Sequence, residues 1–425
     1  MPCKNITRQK TMNIKTKKQK VNKRIFWILF AFLIVATNCF SYKNWNFKTY
    51  IYLPFYAYFF YVVISHKDLL HRTREEMKFS RLIIAMMVVP FLCFISYFSN
   101  GDLEWQSHPT TIITMCGSVT FMLYFVLHAL QVNEKTLVRV FVTAALCIFF
   151  LQVVQQLNPS GALFGVNTDL SDVNETLSTT DYVEQRNGLY RFRISGILFT
   201  IMALCYAWQQ VLKKQNVRNI VFFLSFAASL YLFLTRQYMV ATLGMCVFSV
   251  FLAGKTSMSS KFKFLIPIAL LLFVLYTFSD ALFGTLLEQT QTQTQDSDSD
   301  VRTCAFTHYW NEIVTNDLTM YFGAGPYSSA AAKASQYNWF WVDIGLVGQW
   351  FAWGIGAILT YLFLLYKIFL KRQYDIAPYV RFMVFLTLIT SMLIYPYREP
   401  VEFMAWSMAL YIVDLHVSHS PLALS

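Results

Sequence analysis

Residues 1–24, MPCKNITRQKTMNIKTKKQKVNKR, run straight into residues 25–40, IFWILFAFLIVATNCF. The first stretch holds nine Lys or Arg and no acid, and the second holds no charge at all. A basic tail ahead of a long apolar run is the pattern of a cytoplasmic topology signal in front of a membrane helix, with the tail beside anionic lipid. The alternative, a secretory leader, needs a small-residue cleavage site after the apolar stretch, and none follows residues 25–40. The same tail accounts for most of the formal charge of +12, so the excess does not mark a nucleic-acid binder.

The rest of the chain repeats the second stretch. Of 425 residues, 56% are apolar and 14% charged, far from the roughly 25% charged residues of soluble domains. Apolar runs separated by polar punctuation predict spans near 25–40, 49–64, 80–99, 109–130, 136–157, 193–212, 217–234, 238–253, 262–280, 345–370, 378–396 and 400–415. The expected fold is an all-α polytopic membrane protein of about twelve transmembrane helices: a basic tail over 1–24, one transmembrane domain over 25–415, and a short tail over 416–425. With the N-terminus inside, the two long polar segments, 158–192 and 281–344, are extracytoplasmic and both termini are cytoplasmic. Twenty-six of the 35 Lys and Arg then fall inside, as the positive-inside rule requires.

Within the second outer segment, QTQTQTQDSDSD at 289–300 is low-complexity and reads as a linker. After it, Arg302, Phe306, Tyr309 and Ile313 recur at helical spacing and predict a surface-lying helix over 301–316. Gly323, Gly325 and Pro326 then break the chain ahead of Asn338-Trp339-Phe340-Trp341, an aromatic cluster suited to headgroup level. Six of the eight Cys lie within apolar runs, and no CxxC site or disulfide framework is indicated.

The outer basic residues are Lys43, Lys48, Arg186, Arg191, Arg193, Arg236, Arg302, Lys333 and Arg398. Six of these nine are Arg, against nine of the 26 inner ones. Topology is indifferent to which cation is used, whereas the planar guanidinium binds phosphate or carboxylate through paired hydrogen bonds. The skew therefore predicts an anion site at the outer membrane boundary, for a phosphorylated lipid or an acidic glycan. Proton acceptors on the same side are His308, Asp343, Glu399 and Glu402. Asp343 has a second reading as a helix cap, His308 as an exposed interfacial residue, and Glu399 as the ion-pair partner of Arg398. No Walker loop, HExxH, GxSxG or dinucleotide glycine pattern is present, which argues against soluble nucleotide chemistry.

The order of these features resembles the O-antigen polymerase and ligase family, bacterial inner-membrane glycosyltransferases. The matching pieces are Arg193-Ile194-Ser195-Gly196 entering a helix, Leu234-Thr235-Arg236-Gln237 between two helices, and Arg302 followed by Trp310 in a large outer loop. Gly323-Ala324-Gly325 and then Asp343-Ile344-Gly345, with Gly348 and Gly354, complete the series. The likeness covers about 186–370. Where family ligases carry a His-Asn pair after the Gly-x-Gly segment, this chain has Tyr337-Asn338, a departure that favours a polymerase over a ligase.

The resemblance implies that a sugar hydroxyl of one lipid-linked repeat unit attacks the anomeric carbon of another glycan and polyprenyl diphosphate departs. It implies no metal, no nucleotide sugar and no other cofactor. The partners it implies are a polyprenyl-diphosphate-linked glycan, membrane lipid, and chain-length-regulator and flippase proteins. Arg302 and Arg236 are the expected stabilisers of the leaving diphosphate, with Glu399 grouped beside them. Arg191, Arg193, Arg398, Asp343 and His308 are the expected substrate-binding residues, and the general base stays open among Glu399, Asp343 and His308. The rival class is a transporter or lipid flippase, against which stands the scarcity of charges inside the predicted spans, Asp414 apart.

Overall fold

The computed structural model describes residues 3–37, 48–100, 116–157, 183–186, 189–192, 196–233, 298–326, 328–337, 339–370, 376–391 and 400–417, with single positions between 238 and 249. These residues are overwhelmingly helical, and the helices fall where the apolar runs lie. They are α1 (Cys3–Ala36), α2 (Lys48–Ser65), the short α3 (Lys67–Arg72), α4 (Ser80–Asn100), a 3₁₀ turn (Cys116–Met122) leading into α5 (Leu123–Leu130), and α6 (Glu134–Leu157). There follow α7 (Ile197–Lys213), α8 (Val217–Leu232), α9 (Asp298–Thr315), α10 (Asp317–Phe322), α11 (Ser329–Ser335), α12 (Gly345–Trp353), α13 (Ile355–Leu365), α14 (Pro378–Thr390) and α15 (Pro400–Val417). The expected span 262–280 lies outside the described residues, as does most of 238–253.

Three departures from the sequence reading have physical causes. The first helix begins at Cys3 rather than at 25, because Lys, Arg and Gln are good helix formers and continue the apolar helix backwards. The outer segment 158–192 ends in an antiparallel hairpin, β1 (Val183–Arg186) with β2 (Leu189–Phe192), in which Val183 pairs with Phe192 and Arg186 with Leu189. The two intervening positions are Asn187-Gly188, the strongest short-range hairpin signal a sequence can carry. Finally, the expected single span 345–370 is two helices parted at Gly354. Among the described helices, one window, Glu134–Val154, is long and apolar enough to cross a membrane by length and composition, alongside seven shorter apolar helices.

One end of the helix assembly is tied together by polar side chains. The Asn22 carbonyl oxygen accepts from the Asn133 backbone N–H at 3.1 Å, and the Tyr411 hydroxyl donates to the Val132 carbonyl at 2.7 Å. Gln209 accepts from the Tyr379 N–H at 3.2 Å, and Glu134 accepts from the Tyr379 hydroxyl at 2.8 Å while facing His416 at 3.2 Å. Beside them Asp414, 1% exposed on α15, accepts from the Tyr124 hydroxyl and lies 3.1 Å from His128 Nε2 on α5. A buried carboxylate is tolerable only with such partners.

At the other end the polar segment after residue 298 folds into a cap. α9, α10, α11 and α12 enclose a core of Ala305, Tyr309, Ile313, Ala324, Ala334, Ile344 and Phe351. The cap is fastened to the main bundle where Gly323-Ala324-Gly325 crosses the break after α12. The N–H groups of Ala324 and Gly325 donate to the carbonyls of Phe351 and Ala352 at 2.7 and 3.1 Å, satisfying helix-end acceptors that α12 leaves open. Both crossing chains need glycine. A Cβ on Gly323 would sit 2.5 Å from the Ala352 carbonyl oxygen, and one on Gly354 would sit 2.4 Å from that of Tyr321, with φ of +83° and +73°. Around this point Trp350 donates its indole N–H to the Met320 carbonyl at 2.9 Å, and the Ser96 hydroxyl of α4 donates to Leu318 at 3.2 Å.

Gly323→Ala and Gly354→Ala should therefore each cost about 1–3 kcal/mol through strain against backbone rather than against movable side chains. Gly356→Ala, whose added methyl would meet only Val89 side-chain atoms at 3.2 Å and beyond, should cost less. Thermal unfolding in detergent checks the order; equal melting of all three variants would remove the crossing as the fastening.

Candidate functional site

α9 carries the most chemistry among the described residues of the segment 281–344, and its faces divide cleanly. Asn316 caps the following helix by accepting from the N–H groups of Leu318 and Thr319, which stops α9 at Thr315. Ala305, Tyr309 and Ile313, at steps of four, are buried against α12 and the 3₁₀ turn Trp341–Ile344. Arg302, Phe306, Trp310 and Val314, again at steps of four, are all exposed. Of the four residues expected on one face, Tyr309 and Ile313 share the buried face, whereas Arg302 and Phe306 lie on the exposed stripe, Phe306 being 46% exposed. Small Ala305 takes the inward place because α9 and α12 approach closely, with the Tyr309 and Phe351 rings 4.5 Å apart. The Phe306 and Trp310 rings stack along the exposed stripe at 6.3 Å and 8°, and Trp310 meets Trp350 edge-on. A third stripe, Thr303, Thr307, Asn311 and Thr315, is polar and exposed.

The expected site residues do not gather at one point. Arg302 is exposed at the head of the aromatic stripe. His308 is half-buried on the opposite flank, two residues or about 200° from both Phe306 and Trp310. Its ring lies against Tyr309 at 5.0 Å and Trp339 at 5.7 Å, and its Nε2 is enclosed with no hydrogen-bond partner among the described residues. It is thus neither a freely exposed interfacial residue nor an open proton acceptor. Asp343 is exposed on the 3₁₀ turn; α12 begins after Ile344 without a side-chain cap, so the helix-capping reading of Asp343 fails. Arg191 stands opposite Glu184 in the hairpin register, and β2 lies against α6 and α8. Arg193, Arg236, Arg398 and Glu399 lie outside the described residues. Glu402 is buried at the start of α15.

No protein-family model matches the chain, and no curated protein matches it. The functional reading rests on the residues themselves. Among the described residues no three His, Cys, Asp or Glu side chains come close enough to hold a metal ion.

Two features of the site region escaped the sequence reading. The first is a platform after α11: the Tyr337 ring stacks on Trp339 at 5.0 Å and 29°, and Tyr309 donates its hydroxyl to the Trp339 carbonyl at 2.9 Å. Burial pushes the Tyr309 phenol above its ordinary pKa, and the nearby charges of Asp343 and Glu312 act in the same direction, so this hydroxyl stays a donor. The second is Gln349, 3% exposed, whose Oε1 is enclosed without a partner among the described residues. It lines a cavity of about 20 Å³ with Pro90, Met86, Thr360 and Phe403, room for one water-sized group where cap and bundle meet. A lone amide inside the apolar run 345–370 was the legible signal, since buried polar groups in such runs mark sites by default.

Tyr309→Phe should leave the Trp339 carbonyl without its donor in a buried setting, at a cost of about 1–3 kcal/mol. Limited proteolysis of the cap checks it: cleavage between residues 329 and 344 should speed up while α4 to α8 stay protected. An unchanged digestion pattern would show that the hydroxyl does not hold the platform.

Proposed function

We propose that the chain is a polytopic glycosyltransferase of the inner membrane that polymerises lipid-linked oligosaccharide repeat units at the outer face, as the resemblance to the O-antigen polymerases implies. The observation that carries the reading is the exposed stripe of α9. A phosphorylated polyprenyl lipid presents an anion fixed to a long apolar chain. Arg302 followed by Phe306, Trp310 and Val314 offers a fork-shaped cation followed by apolar and aromatic surface in the same order. The polar ties and the cap are in keeping with the proposed topology. The polar ties among Asn22, Val132, Gln209, Tyr379 and His416 join segments that the basic-residue asymmetry assigns to the cytoplasm, while the cap grows from a segment assigned outside.

In this mechanism the acceptor hydroxyl attacks the anomeric carbon, the bond from that carbon to the phosphate oxygen breaks, and the electron pair leaves with the diphosphate. Charge grows on the leaving oxygens, so a guanidinium already in place stabilises the transition state more than the ground state. Arg302 fills that role, with Arg236 beside it in the proposal and Arg191, Arg193 and Arg398 binding the remaining anionic groups. The hydroxyl proton passes to a carboxylate. Asp343, which is exposed, and Glu399 remain in contention, and the enclosure of His308 counts against it.

A second reading, a transporter or flippase of lipid-linked glycans, draws on the broken helix at Gly354 beside the buried Gln349, since discontinuous helices with buried polar groups recur in secondary transporters. Proteoliposomes loaded with lipid-linked repeat units separate the two, because a transferase lengthens the glycan and a flippase only moves it.

Arg302→Lys should fail nearly as badly as Arg302→Ala in glycan polymerisation from purified lipid-linked units, because Lys keeps the charge and loses the fork. One charge-assisted hydrogen bond is worth about 1.5–3 kcal/mol, or roughly one to two decades of rate. Full activity of Arg302→Lys would remove the paired-bond role, and full activity of Arg302→Ala would remove Arg302 from the site.

Orientation is tested separately. With the native cysteines replaced, a Cys at exposed Ser335 should react with an impermeant thiol reagent from outside intact cells; reaction only after the inner face is opened would reverse the topology.

A further inference from the structure

We infer that Tyr337, Trp339 and Asp343 form a sugar-stacking subsite that holds the growing or acceptor glycan; the inference rests on the glycan reading above. The aromatic cluster at 337–341 has an obvious rival role as a membrane anchor, and the arrangement of α9 argues against it. The exposed Phe306, Trp310 and Val314 stripe is the flank suited to lipid, and it adjoins Trp350 on α12, the helix that leads into the bundle. His308, against which Trp339 packs, points about 200° away from Phe306 and Trp310. If the stripe faces lipid, the Tyr337 and Trp339 side of the cap faces water, and the Tyr337 ring, 63% exposed, presents its face to a dissolved ligand.

The chemistry of the surface selects that occupant. A pyranose ring has apolar C–H faces and a rim of hydroxyls, so it stacks on an aromatic ring and donates to a neighbouring carboxylate. Tyr337 supplies the ring, backed by Trp339, and both are held by the backbone. The N–H groups of residues 337 and 339 each donate to the Ala334 carbonyl at 3.0 Å, and Tyr309 bonds the Trp339 carbonyl. A platform fixed in this way loses little freedom on binding. Asp343, exposed on the 3₁₀ turn Trp341–Ile344 that packs against α9, supplies a carboxylate acceptor four residues after Trp339. The same negative charge disfavours anionic lipid headgroups, whereas the cation of Arg302 sits on the other flank.

The test uses the full chain in lipid nanodiscs, with oligosaccharides released by mild acid from the host's own surface polysaccharide as probe and ligand-observed NMR as readout. Tyr337→Ala should bind them roughly three- to tenfold more weakly, the range expected for one lost aromatic stack, and Tyr337→Phe should bind like the wild type. Asp343→Asn should also weaken binding. In nanodiscs containing brominated lipid, the Trp339 emission, taken as the difference between wild type and Trp339→Phe, should be unquenched. Quenching of Trp339 would make the cluster a membrane anchor and overturn the proposal, as would unchanged binding in Tyr337→Ala. A wild type that binds the fragments yet polymerises nothing would keep the subsite and remove the transferase. One that polymerises with an unchanged KM in Tyr337→Ala would keep the transferase and remove the subsite.

Discussion

Main chain meets main chain where residues 323–325 cross the break at Gly354, and the placement of the whole cap depends on that contact. Two hydrogen bonds from Ala324 and Gly325 close the end of α12, and the approach is so tight that neither Gly323 nor Gly354 has room for a Cβ. A contact made of backbone has no rotamers through which to yield. The cap is therefore held at one angle to the bundle, and that angle fixes which flank of α9 is buried against α12 and which is left exposed. The Met320–Trp350 and Leu318–Ser96 hydrogen bonds flank the crossing and keep it from pivoting.

Much of this was legible from residue order alone, because apolar length is a strong signal and the helices stand where the runs are. What the pattern could not supply is the choice between adjacent stripes. Phe306 and Ala305 are neighbours, and transfer energy favours burying the phenylalanine. Close packing of α9 on α12 favours the alanine, and the alternative is visible only once the partner helix is in place. The break at Gly354 was hidden for a similar reason. A glycine in an apolar helix is often merely tolerated, and this one interrupts the helix because another strand of chain passes over it. The hairpin at 183–192, by contrast, is written in the Asn187-Gly188 pair itself, which needs no partner element to be read.

The candidate site was legible in a different measure. The excess of arginine over lysine on one side is a compositional signal and survives without coordinates. The pairing of arginines into a single constellation is not: Arg302 and Arg191 lie on separate elements, and Arg193, Arg236 and Arg398 lie beyond the described residues. Tyr309 stood out only as part of a helical spacing and Gln349 only as a letter in an apolar stretch, and their importance comes from what surrounds them. One has a hydroxyl aimed at a carbonyl thirty residues away, and the other has an amide set against apolar neighbours.

α15 is buried on all sides over residues 401–414, with Asp414 held by Tyr124 from the far earlier α5. The axle of the assembly is thus C-terminal to every other described element, and a ribosome delivers it after the helices that will surround it. Until it arrives those helices expose an apolar slot and the Tyr124 hydroxyl has no acceptor on α15. The nascent protein must stand as an unfilled ring until its centre is supplied.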